Sequence, residues 1–66
     1  MFNVFYVVNG KHIKHGFNYT SRWAATLMAR DIFDFTDHSS YVIDNTTGEV
    51  VASFDDNGAY VAKEDA

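Results

Sequence analysis

The dipeptide Asn9-Gly10 separates two strand-like runs, FNVFYVV before it and KHIKHGF after it. Both residues tolerate positive φ, which a two-residue type I′ turn needs at both central positions, and such a turn matches the twist of the strands it joins. A turn this short also fixes register: Val8 opposite Lys11, Tyr6 opposite Ile13, Val4 opposite His15 and Phe2 opposite Phe17. One face of this hairpin, Phe2, Val4, Tyr6, Val8, Ile13 and Phe17, is the expected core face. The other carries Asn3, Phe5, Val7, His12 and Lys14, and is more apolar at Phe5 and Val7 than a solvated face requires.

Downstream, TSRWAATLMARDIFDF predicts a helix with Thr20 or Ser21 as N-cap, since a hydroxyl there accepts from an orphan backbone N–H. At ~100° per residue, Ala24, Ala25, Met28, Ala29, Ile32 and Phe35 fall within one arc of about 140°, the expected core stripe, with Arg22, Thr26 and Arg30 on the far side. Trp23 and Leu27, an i, i+4 pair, stand outside that stripe beside Arg30, Asp31 and Asp34. The cap and loop residues Thr36-Asp37-His38-Ser39 end the helix. Residues 40–44 and 49–54 then read as strands joined by Asn45-Thr46-Thr47-Gly48, a sequence suited to a type I turn followed by a left-handed glycine. Another turn at Asp55–Gly58 leads to a short edge strand at 59–62. The expectation is one α+β domain over residues 1–62, ordered ββαββ, with an antiparallel sheet covered on one face by the helix and a polar, disordered tail at 63–66.

Size bears on what such a domain can do. Sixty-six residues without cysteine or proline must hold together by apolar packing alone, and the chain supplies six Phe, four Tyr and one Trp for that purpose. The N-terminal segment has neither the basic n-region nor the apolar run of a signal peptide, and no stretch approaches the ~20 apolar residues of a membrane span. The expected location is therefore the cytoplasm, away from membranes. Charge is distributed unevenly: residues 1–30 hold four basic residues and no acid, whereas residues 31–66 hold nine acids against Lys63 alone. Solvated faces account for such a pattern; so does an acidic surface that attracts a basic partner or mimics phosphates.

No constellation for catalysis or metal binding emerges, and neither enzyme activity nor a cofactor is expected. His12 and His15 are three apart on a strand and point to opposite faces, while His38 pairs with Asp37 in a loop. Asp55-Asp56-Asn57-Gly58 has acids and a glycine but not the spacing of a calcium loop. The serines sit in no nucleophile elbow, and acids on so small a chain lack an enclosed pocket to shift their pKa. Two surfaces remain. Trp23, Leu27, Arg30, Asp31 and Asp34 form a candidate protein contact, because interface anchors favour tryptophan among polar neighbours; the alternative is that Trp23 and Leu27 pack against the second hairpin or the tail, covered by Tyr60 or Phe54. Lys11, His12 and Lys14, with Phe5 as a stacking platform, form a candidate nucleic-acid contact, against which stands the net charge of −4. A homodimer through Trp23, the Phe5/Val7 face or an unpaired edge strand is a third arrangement.

Together, the Asn9-Gly10 hairpin, the alanine-rich helix TSRWAATLMARDIF and the strand–turn–strand YVIDNTTGEVVASF resemble the architecture of small phage-encoded inhibitors of host proteins, including some anti-CRISPR proteins. The resemblance is architectural and carries no functional residue with it. It implies a stoichiometric binder in the host cytoplasm that blocks a larger host protein complex by occlusion or charge mimicry.

Overall fold

A computed structural model of the chain describes residues 1–63. Five strands and one helix follow in the order β1 (Phe2–Val8), β2 (Lys11–Tyr19), α1 (Arg22–Thr36), β3 (Ser40–Asp44), β4 (Val50–Asp55) and β5 (Gly58–Val61). The strands form one antiparallel sheet in the order β2-β1-β3-β4-β5, so β1 is inserted between its hairpin partner and the second half of the chain. Helix α1 packs across β1, β3 and β4 on one face. The fold is thus α+β with the ββαββ order, extended by a fifth strand. Of the expected tail at 63–66, all but Lys63 lies outside the described residues.

Local chemistry accounts for the element boundaries. Asn9 (φ 51°) and Gly10 (φ 79°) are both left-handed, as the tight hairpin requires. Ser21 caps α1, its hydroxyl accepting from Ala24 N at 3.2 Å. The helix stops at Asp37 (φ 60°), whose N–H donates to Phe33 O at 2.9 Å. Asp44 and Asp55 each turn the chain by accepting, through Oδ1, the backbone N–H two residues on, from Thr46 at 2.9 Å and Asn57 at 2.8 Å. The second of these makes the acids of 55–58 a turn device.

The core lies between α1 and the sheet. Val4, Val42, Ala25, Ala29 and Ala52 are fully buried, with Val51 and Phe54 nearly so, and Phe2, Tyr19, Met28, Ile32 and Phe33 pack around them. Alanine at 25, 29 and 52 lets helix and sheet approach closely. Ser40 exploits that approach, its buried hydroxyl donating to Ala29 O.

Two expectations about this core are corrected. The hairpin register holds from Val8–Lys11 to Val4–His15, but Phe2 then pairs with Tyr19 instead of Phe17. Gly16, at φ 66°, takes β2 into a bulge that inserts two residues, so Tyr19 occupies the position expected of Phe17, and Phe17 is 88% exposed. Ile13, also expected inside, is 38% exposed on the outer strand. The helix stripe is rotated as well: Ala25, Thr26 and Ala29 are buried, Ala24 is exposed, and Phe35 is 85% exposed. Thr26 can face inward because its hydroxyl donates to Arg22 O at 2.8 Å, leaving no unsatisfied polar atom. Phe35 lies in the last turn, displaced from that inward arc.

Candidate functional site

Helix α1 covers one side of the sheet, and its outer surface faces away from the core. Trp23 projects there with 68% of its surface exposed, Leu27 beside it is half-buried, and Arg30, Asp31 and Asp34 are exposed. The five residues expected to form a protein contact therefore share one side of one helix. Neither residue suggested as a cover for Trp23 provides it. Phe54 is buried in the core, and Tyr60 lies on the opposite face of the sheet, paired with Ser53. Ala24 and Phe35, both expected inside, add apolar surface to the same outer side.

The charges on α1 run against its dipole. There is no acid in the first turn and no base in the last; instead Arg22 opens the helix and Asp34 sits in the final turn. Arg22 Nη2 is engaged with Ala62 O at the end of β5, tying the helix start to the C-terminal edge. Among the described residues, no hydrogen bond or ion pair engages the carboxylate of Asp31 or Asp34.

The other candidate surface is divided by the pleat. Phe5, His12 and Lys14 lie on the face of the sheet away from α1, whereas Lys11 pairs with Val8 and so belongs to the helix side. Two residues missed by the sequence reading complete the open face. Tyr41 stacks on Phe5 (centroids 5.3 Å apart, planes 13° apart), and its hydroxyl lies 2.7 Å from His12 Nδ1. Burial pushes the Tyr41 phenol above its ordinary pKa. Tyr60 is 52% exposed at the far edge. Strand alternation places Tyr41 opposite in sense to Val42, but only the β1–β3 pairing, a long-range contact, brings it to Phe5.

His38, expected to pair with Asp37, is half-buried, and its ring stacks on Tyr6 (centroids 6.1 Å apart). His15 meets Tyr6 edge-on at 6.2 Å, and these three rings with Ile32 and Thr36 line a cleft of about 320 Å³ at the end of α1. Its walls are mainly apolar. His12 and His15 lie on opposite faces of the sheet, and among the described residues no three His, Cys, Asp or Glu side chains cluster as metal ligands would. No described helix is long and apolar enough to cross a membrane.

Comparison with protein-family models, with curated proteins and with solved structures returns no match.

Proposed function

We propose that this chain is a small non-catalytic protein-binding module, of the kind phages use to inhibit a larger host complex, acting by occlusion through the outer face of α1. The observation that carries the reading is the exposure of Trp23, 68% of whose surface faces solvent among charged neighbours. A domain this small has few large apolar groups, and leaving its only tryptophan outside the core gives up burial it could use. Tryptophan beside leucine, ringed by exposed charges, suits a partner that offers an apolar socket and excludes water around it. Asp31 and Asp34 favour a socket with a basic rim.

The only tryptophan in the chain is also the reporter. The immobilised protein and its Trp23→Ala variant are exposed to a bacterial lysate, with circular dichroism as the folding control. The reading requires a specific partner that the folded variant fails to retain, and a blue shift of Trp23 emission when that purified partner is added. Equal retention by wild type and variant, or an unchanged emission maximum on binding, would remove α1 from the interface.

A further inference from the structure

The face of the sheet away from α1 is the second large surface that no described residue of the chain covers, and its composition differs from the rest of the molecule. Strand pairing sets five residues in one transverse row: Lys14 opposite Phe5, Phe5 opposite Tyr41, Tyr41 opposite Ser53, and Ser53 opposite Tyr60. At ~4.8 Å per strand the row is about 19 Å long, from a lysine at one edge to a tyrosine at the other. Phe5 and Tyr41 form a stacked pair in its middle, and His12 holds the Tyr41 hydroxyl. Lys14 Nζ reaches Asn18 Oδ1 at 3.3 Å, and Asn18 accepts in turn from Asn3, so a polar flank borders the aromatic pair.

The aromatic row departs from the acidic character of the whole chain, since it holds Lys14 and no carboxylate. Although the net charge is −4, the described strands place only one carboxylate here, Asp55, at a corner where it is occupied by the Asn57 N–H. Asp44 pairs with Phe2 on the helix side, Asp31 and Asp34 lie on α1, and Glu49 and Asp56 lie in turns or loops. Among the described residues, Lys14 and His12 therefore meet no opposing acid along the aromatic row. A partly exposed π surface bordered by a lysine, an imidazole and amide groups, with no described carboxylate in its row, matches a flexible polyanion whose bases stack.

We infer that this open sheet face binds single-stranded nucleic acid, about two to three bases lying across Phe5, Tyr41 and Tyr60 with their phosphates toward Lys14 and His12. A duplex would not serve, because its bases present no free faces to the row. With so few cations, stacking supplies most of the affinity and the salt dependence is shallow. The site is on the other side of the molecule from the Trp23 surface and stands independently of it.

The test is fluorescence anisotropy of end-labelled oligothymidylate and oligouridylate, each about 12 nucleotides long, at low salt and at about 200 mM, with a duplex of the same length as control. Expected are a rise with either single strand and none with the duplex. Tyr60→Ala, at an exposed edge position, and Phe5→Leu, which keeps apolar volume but loses the ring, should each weaken binding about fivefold or more. Lys14→Gln should flatten the salt dependence. The inference is overturned by an absence of any rise at low salt, or by equal binding in these variants when circular dichroism shows them folded. It is also overturned if sedimentation shows a dimer that Tyr60→Ala or Phe5→Leu dissociates, since the face would then be covered by a second copy.

Discussion

Gly16 shows how one residue can move a side chain across the boundary between core and solvent. Its φ of 66° creates the bulge that exposes Phe17 and brings Tyr19 inward. An added Cβ would meet only the Tyr19 hydroxyl, at 3.8 Å, an ordinary contact, so backbone conformation rather than crowding opposes substitution. Gly16→Ala should therefore cost about 1–2 kcal/mol in urea unfolding, and Gly16→Asn less, because asparagine tolerates the left-handed region. Equal losses for both would implicate something other than φ. Tyr41 permits a second test at this scale. Burial raises its phenol pKa in the folded state above the unfolded value of about 10, so the folded protein retains a proton that the unfolded chain releases. Stability from this group is intact below pH ~10 and is lost as pH rises through the folded pKa. Ultraviolet titration should show a tyrosine that ionises above pH ~10, and Tyr41→Phe should remove that step.

At the scale of the element, α1 is where sequence reading succeeded in position and failed in phase. Its N-cap, its end and the isolation of Trp23 from the core were all legible, because capping groups and aromatic outliers are local signals. The inward stripe lies about 70° round the helix from the apolar arc at ~100° per residue, because Thr26 faces in although polar and Phe35 faces out although apolar. Thr26 satisfies its hydroxyl within its own helix turn, and Phe35 lies beyond the part of α1 that packs inward. Neither fact is contained in residue type. The same helix retains an electrostatic arrangement that does not favour its own stability, with Asp34 in a last turn that has no basic residue. Asp34→Asn should raise stability by about 0.3–1 kcal/mol at low ionic strength, with the gain shrinking as salt is added. If the outer face binds a basic-rimmed partner, the same change should weaken capture. A variant that is stabilised and binds equally well would leave Asp34 outside the contact.

Across the whole molecule, strand order is the property that local patterns could not supply. Each hairpin was legible from its turn, Asn9-Gly10 or Asn45–Gly48, yet nothing in either says that β1 pairs with β3. That pairing places β3 at the centre of the sheet with β1 and β4 beside it, and assembles Phe5, Tyr41 and Ser53 into a row. It also sets up a gradient of stability. Val4 and Val42 face each other at the centre, both fully buried, on strands paired along both edges. By contrast, β5 is four residues long, entirely exposed, and hydrogen-bonded along one edge only. Amide exchange should follow this gradient. The central amides of β1 and β3 should exchange only through global unfolding, at about 3–5 kcal/mol for a domain of this size without a disulfide, while those of β5 exchange through local opening at a lower free energy. Destabilising the core by Val42→Ala should then accelerate exchange in β1 and β3 and leave the β5 rates nearly unchanged. If β5 is instead as protected as β3, and loses that protection on dilution, its outer edge pairs with a second copy of the chain in solution, which is the means by which an open antiparallel sheet conceals an unpaired strand.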